Sequence, residues 1–272
     1  MANIEKVYKK TKNPIIKKKF FDRDYYVLNH YKGCSYGCMY CDAITPFSTV
    51  YDKRKWGHLI EIKKDILNIL RKNRSRLKNK RVYLSTLTDP YNQVEKELRL
   101  TKKVLLELKN YDLKQLLIKT RSSLILKDMD ILKEIKNLTV SISIFNDNSK
   151  ILSILENRSP SCDERIRTVD VLNKNKIDVN INIYPYLPEI TPIHKIIRNY
   201  KDMVEKFVII EPNWKDNSIK STICNMLQRI EPEILVKYHT KYFKDNPKKH
   251  YLKKIKDEIE KKYSTTIKIL ER

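Results

Sequence analysis

Along the chain, short runs rich in Ile, Val, Leu and Tyr alternate with longer stretches in which apolar residues recur every three or four positions. The short runs at 25–31, 81–85, 114–119, 139–145, 176–184 and 206–210 read as strands, because β-branched and aromatic residues suit a pleated, half-buried surface. The longer stretches at 59–72, 101–110, 127–136, 162–175, 192–203 and 218–228 read as helices, and Ile62, Ile66, Ile69 and Leu70 show the spacing that lines one helical face. Strands and helices alternating in this way argue for parallel pairing with right-handed crossovers, so the expected fold class is α/β. Periodicity does not separate an open doubly wound sheet from a complete or partial barrel. Past residue 228 the pattern changes to a Pro-interrupted segment, a charged helix around 251–262 and a β-prone run at 265–270. The chain therefore divides into a basic N-terminal extension (1–24), a core (25–228) and a C-terminal appendage (229–272).

With 272 residues, 41% of them hydrophobic, the chain is long enough to bury one substantial core. No apolar run approaches the roughly 18 residues needed to span a bilayer, and the lysine-rich start lacks the apolar stretch of a secretory signal. The expectation is a cytoplasmic protein with no membrane partner. The net charge of +24 makes DNA or RNA an expected partner, since clustered Lys and Arg release counterions from phosphate backbones. A compositional reading stands beside it: the abundance of Lys, Asn, Ile and Tyr is what AT-rich genes over-encode. Runs such as Lys17-Lys18-Lys19, Arg71-Lys72-Asn73-Arg74 and Lys248-Lys249-His250 also serve as solvated faces.

Three of the five cysteines crowd into Cys34-Ser-Tyr-Gly-Cys38-Met-Tyr-Cys41, directly after the first expected strand. That spacing favours a metal centre over a disulfide framework. Two of only three glycines, Gly33 and Gly37, flank or enter this segment, where positive φ and room beside an inorganic sulfide have no other source. An ordinary four-iron cluster takes four cysteines, so three leave one iron open to an external ligand. A structural zinc site completed by His30, Cys162 or Cys224, in a non-catalytic metal-stabilised nucleic-acid-binding protein, is the alternative.

The spacing, with an aromatic residue before the last cysteine, resembles the C-x3-C-x-aromatic-C signature of radical S-adenosylmethionine (SAM) enzymes. Further stretches resemble successive blocks of the spore photoproduct lyase-like branch of that superfamily: Asn29-His-Tyr-Lys-Gly-Cys34, Ser85-Thr-Leu-Thr-Asp89-Pro-Tyr91 with Glu95, Ile118-Lys-Thr-Arg-Ser122, Val140-Ser-Ile-Ser-Ile144, Arg158-Ser-Pro with Arg165, and Tyr184-Pro-Tyr-Leu-Pro188. They fall in order at expected strand ends. The resemblance implies a partial (β/α)6 TIM-type barrel with short terminal extensions. It also implies a [4Fe-4S] cluster on Cys34, Cys38 and Cys41, fed by a reducing donor such as flavodoxin or ferredoxin. The activity implied is reductive cleavage of S-adenosylmethionine followed by hydrogen abstraction from a substrate, with nucleic acid or a nucleotide-derived molecule the leading class and a peptide or small molecule the alternative.

The same resemblance places Tyr40 against adenine, Lys119 and Arg165 on the SAM carboxylate or other polar parts, and Ser143 beside them. It places the contact to the methionine amine among Ser85, Thr86, Thr88 and Asp89, although the usual glycines are missing there and Asp89 also suits a turn. Two departures bear on the substrate. Asp42 stands where a tyrosine often follows the third cysteine, and Ser85-Thr86 stand where true spore photoproduct lyases carry a hydrogen-donating cysteine. Cys162 is the remaining candidate hydrogen donor, with ordinary helix-start packing as its other role.

Overall fold

The computed structural model describes residues 4–11, 15–20, 22–243 and 250–270. The basic residues at 248–249 and parts of the expected N-terminal extension (1–3, 12–14 and 21) lie outside the described residues. The strands are β1 (Glu5–Lys9), β2 (Ile15–Phe20), β3 (Arg23–Leu28), β4 (Tyr31–Lys32), β5 (Leu59–Lys63), β6 (Arg81–Leu84), β7 (Gln115–Thr120), β8 (Leu138–Ser143), β9 (Asp178–Ile183), β10 (Lys206–Ile210) and β11 (Thr266–Leu270). The larger sheet runs β11-β10-β9-β8-β7-β6-β3-β2, with every neighbouring pair from β3 to β11 parallel and β2 antiparallel to β3. Helices fill the connections between the parallel strands, as the alternating pattern requires.

Phe20 of β2 and Lys268 of β11, from strands at opposite ends of this sheet, line one cavity. The sheet is therefore curled into a partial barrel, which settles what periodicity left open. Strand alternation sorts the side chains. In β8 and β9, Val140, Ile142, Val179 and Ile181 are buried in the main core with Val169 and Leu172 of the helix Cys162–Lys174. Their neighbours Ser141, Asn180 and Asn182 face the cavity instead. Branched apolar residues normally fill the interior of a closed barrel, so a polar inner face leaves room there for a ligand.

The expected helix at 59–72 is corrected in its first half. Leu59–Lys63 is a strand that pairs parallel with β1 and antiparallel with β4, and the helix runs only over Ile66–Lys72. Ile60 and Ile62 are buried in a separate apolar cluster with Tyr31 and Val94. The apolar spacing that continues from Ile66 hid the boundary, and the strand exists because β1, more than fifty positions away in sequence, supplies its hydrogen bonds. The segment set apart as a C-terminal appendage contributes β11, which extends the main sheet beside β10. No helix among the described residues is long and apolar enough to cross a membrane.

Candidate active site

The cysteine loop leaves β4 and folds against β5. Gly33 has φ +85°, and a Cβ there would lie 2.4 Å from the Leu59 carbonyl oxygen; Gly37 has φ +57° and packs against the backbone of Gly57, with a built Cβ 3.1 Å from its Cα. The positive φ expected from the sequence is present, and both glycines also pack closely against backbone. The loop is tied down at several points. Gly37 N donates to Cys34 O (3.1 Å), Cys41 N to Cys38 O (3.3 Å), Trp56 Nε1 to Cys38 O (3.2 Å), Tyr36 Oη to Tyr91 O (2.9 Å) and Gln93 N to Ser35 Oγ (2.8 Å).

Cys34, Cys38 and Cys41 all line one cavity at the C-terminal ends of the barrel strands, the end where barrels of this type carry their chemistry. All are free thiols. Burial pushes each thiol above its ordinary range, and Arg121 acts against that at Cys38, where its guanidinium lies 2.9 Å from Sγ. Thiols that stay protonated in a dry pocket are deprotonated when they bind metal. Among the described residues no three His, Cys, Asp or Glu side chains converge on a single metal ion. Tetrahedral zinc draws its sulfurs to roughly 3.8 Å of one another, whereas a four-iron cluster spreads its ligands over separate irons. His30, Cys162 and Cys224 do not line the cavity. The donor set fits a cluster held by three cysteines with one iron left open.

Thr86, Thr88, Asp89, Lys119 and Ser143 line the same cavity. Asn29 holds the loop after β6, accepting Thr86 N at 2.9 Å. Asp89 does what its turn signature implies: Oδ1 accepts Tyr91 N (2.9 Å) and Thr120 Oγ1 (2.6 Å), and Oδ2 accepts Arg121 N (2.9 Å). Thr88 Oγ1 donates to Gly33 O at 2.5 Å. The hydroxyl of Thr86 is buried without a hydrogen-bond partner, the kind of group a bound ligand satisfies. Lys119 sits 5.3 Å above the Tyr184 ring. Burial first, and then Arg121, pull its ammonium down to about 8.

Tyr40, Ser85, Arg165 and Cys162 do not line the cavity. Tyr40 is fully buried, its ring edge-to-face with Phe145 and Tyr184, and its hydroxyl on Glu156. Ser85 has φ +63° and points its hydroxyl at His30 Nδ1, 3.4 Å away. Arg165 spends its guanidinium on Pro160 O (3.0 Å from Nε), Ser143 O (3.1 Å) and Glu156. It braces the site from behind. Cys162 opens the helix that Ser161 caps, with its thiol raised to about 11 by burial. Glu95, grouped with Asp89 in the sequence, accepts the hydroxyl of Tyr31 and the backbone N–H groups of Leu100 and Thr101, so it caps a helix.

Two residues of the site escaped sequence reasoning. Arg121 donates to Cys38 Sγ, to Glu156 Oε1 (2.6 Å) and to Tyr40 Oη (3.3 Å), and Glu156 bridges it to Arg165. Lys119 lies in β7 and Arg121 directly after its last residue, and the Arg121 position could have been flagged by its place in the Ile118–Ser122 block. Glu156 had no local signal.

Residues 28–200 match the family model of the Radical SAM superfamily. An uncharacterised protein, MJ0683, of Methanocaldococcus jannaschii is 33% identical over 201 residues, 74% of this chain and 74% of its own. ORF301 of the Acidianus two-tailed virus, also uncharacterised, is 31% identical over 191 residues, 67% of this chain and 61% of its own. Among solved structures, spore photoproduct lyase complexed with dinucleoside spore photoproduct superimposes with a TM-score of 0.70 at 13% identity, over 98% of this chain and 82% of that one. Streptococcus suis SuiB bound to S-adenosylmethionine gives a TM-score of 0.55 at 15% identity, over 100% of this chain and 51% of that one. At these identities the structural likenesses speak for a shared fold.

Proposed function

The chain belongs to the radical SAM superfamily, and on that premise we propose that it is an enzyme that cleaves S-adenosylmethionine reductively and takes hydrogen from a nucleic acid or nucleotide-derived substrate. Cys34, Cys38 and Cys41 would hold a [4Fe-4S] cluster. When bound, that cluster supplies the electron that breaks the sulfonium of SAM and leaves a carbon-centred radical. The residues of this chain bind, orient and shield. Lys119 offers an ammonium for the SAM carboxylate, Thr86 offers its unpartnered hydroxyl, and Arg121 holds positive charge beside the Cys38 sulfur. Arg165 and Glu156 keep Arg121 in place.

The observation that carries this reading is that Thr86 and Lys119 line both the cysteine cavity and the polar cavity inside the barrel. SAM at the first would sit next to a substrate in the second. The nucleic-acid class draws support from the +24 charge and from the lyase fold, whose solved structure contains a dinucleoside photoproduct. Anaerobic reconstitution and reduction with SAM, followed by a survey of candidate substrates, tests it. The expected result is release of 5′-deoxyadenosine at a rate that the right substrate changes, with deuterium passing from that substrate into the deoxyadenosine methyl group. If a broad panel of DNA, RNA and nucleotides leaves turnover and label untouched, the peptide or small-molecule class takes its place.

A further inference from the structure

Of the three cysteine sulfurs, Cys38 is set apart by its neighbours. Backbone groups of Tyr36 and Asp89 serve Cys34, and that of Ala43 serves Cys41. Cys38 Sγ instead meets two side chains, Arg121 Nη1 at 2.9 Å and Ser159 Oγ at 3.7 Å. Asp89 adds a negative field at Cys34 and Lys119 a positive one at Cys41. A guanidinium stays charged under all conditions a folded protein meets. Cys38 therefore carries a fixed positive charge at hydrogen-bond distance.

Arg121 is held in that position. Its Nη1 has two hydrogens, and the closest acceptors are Glu156 Oε1 at 2.6 Å and Cys38 Sγ, with Tyr40 Oη at 3.3 Å and Ser159 Oγ at 3.4 Å behind them. Glu156 is fixed in turn by Arg165 and the Tyr40 hydroxyl, and Arg165 by Pro160 O and Ser143 O. The side chains of Glu156, Arg165 and Arg121 are 1%, 2% and 11% exposed, so little water screens their charges. A network that served stability alone needs no cation on sulfur, because Glu156 and Arg165 already balance each other. The second guanidinium leaves the network with a net positive charge, and that charge lies against Cys38.

We propose that Arg121 sets the reduction potential of the cluster held by the three cysteines, through the charge it places on Cys38 Sγ. The inference rests on the functional reading above and adds what governs its first electron transfer. One electron passes from a low-potential donor to the cluster, no bond forms or breaks, and the charge at the cysteines becomes more negative by one. Arg121 stabilises that reduced form more than the oxidised one, so it raises the potential; hydrogen bonds to the sulfurs and nearby charge are the protein's means of doing so. Glu156 works in the opposite direction, by offsetting part of the positive charge while it orients Arg121.

The test is an anaerobic redox titration of the reconstituted protein without SAM or substrate, with dithionite as the reductant and electron paramagnetic resonance as the readout. Arg121→Met should lower the equilibrium constant for reduction tenfold or more, which is about 59 mV for one electron, with iron content unchanged. Arg121→Lys keeps the charge and should recover part of the shift. Ser159→Ala should shift it downward by less, and Glu156→Gln should shift it upward. Opposite signs from two neighbours in one network are what charge predicts and what a general loosening of the site does not. Arg121→Met leaves Glu156 paired with Arg165 and should fold; if Glu156→Gln loses its iron, Arg121→Lys and Ser159→Ala decide. A change smaller than about threefold in Arg121→Met, or a downward shift in an iron-loaded Glu156→Gln, overturns the proposal. So does a tenfold loss of SAM affinity in Arg121→Met with the potential unmoved, which makes Arg121 a SAM contact. A cluster that assembles with an unmoved potential refutes this inference alone, whereas a parent protein that assembles no cluster refutes the functional reading as well.

Discussion

Glu156 lies between two guanidiniums, with Oε1 2.6 Å from Arg121 and Oε2 on Arg165. Its side chain is 1% exposed, and those of Arg165 and Arg121 are 2% and 11% exposed. Burial acts to raise its carboxyl, but Arg121, Arg165 and the Tyr40 hydroxyl outweigh that and hold it below its ordinary 4.5. Glu156→Gln keeps the shape, removes the negative charge and leaves two cations facing each other with little water. Breaking a buried pair in this way costs about 3–5 kcal/mol. At roughly 2–4 °C per kcal/mol for a chain of this size, the unfolding midpoint should fall by at least about 6 °C. Circular dichroism of the cluster-free protein, heated at several pH values, measures it.

The sign of the pH dependence follows from the lowered carboxyl. A depressed folded value stabilises the protein above the unfolded carboxyl range, and that stability is lost as pH falls through the folded value. The glutamine variant has already lost it, so the gap between parent and variant should narrow toward acid pH. Adding Arg165→Met to Glu156→Gln should recover part of the loss, because it removes one stranded cation. A Glu156→Gln midpoint within about 2 °C of the parent, under roughly 1 kcal/mol on the same scale, refutes the view that this network is a charge-balanced brace.

Four other outcomes follow from the site. Anaerobically prepared protein should carry about four iron and four sulfide per chain, lost on replacing Cys34, Cys38 or Cys41 by Ala but kept in Cys224→Ala; bound zinc in their place would contradict this. Lys119→Ala should weaken SAM binding with iron unchanged, whereas Arg165→Ala should chiefly lower the unfolding midpoint, a contrast that equilibrium dialysis and thermal melts resolve. Gly37→Ala forces an L-residue to φ +57° with its Cβ 3.1 Å from Gly57, so a loss of about 1–2 kcal/mol in stability and poorer iron retention are expected. If nucleic acid binds the basic surface, its affinity should fall with salt at a log–log slope of roughly −0.7 to −0.9 per phosphate contacted, and a flat salt profile counts against that contact.

The strand positions, the cysteine loop and the turn at Asp89 were written locally and could be read from the sequence. Six core strands and most helices lie where apolar spacing put them, because amphipathic periodicity is a property of neighbouring residues. The three cysteines were legible for the same reason: close spacing on one loop permits a shared centre whatever the rest of the chain does. Other features depended on contacts between distant segments. Leu59–Lys63 became a strand because Glu5–Lys9 pairs with it, and no local pattern encodes that partner. Arg165 is braced by Glu156, Pro160 and Ser143, and Tyr40 joins the same buried network through Glu156, partners that only the folded chain brings together. Arg23, Lys206 and Lys268 meet at one cavity because the sheet curls. The sequence by itself determined which residues alternate and which cysteines share a loop; only the closing of the sheet decided which side chains face each other across it, since curvature and long-range pairing arise from the packing of the whole chain.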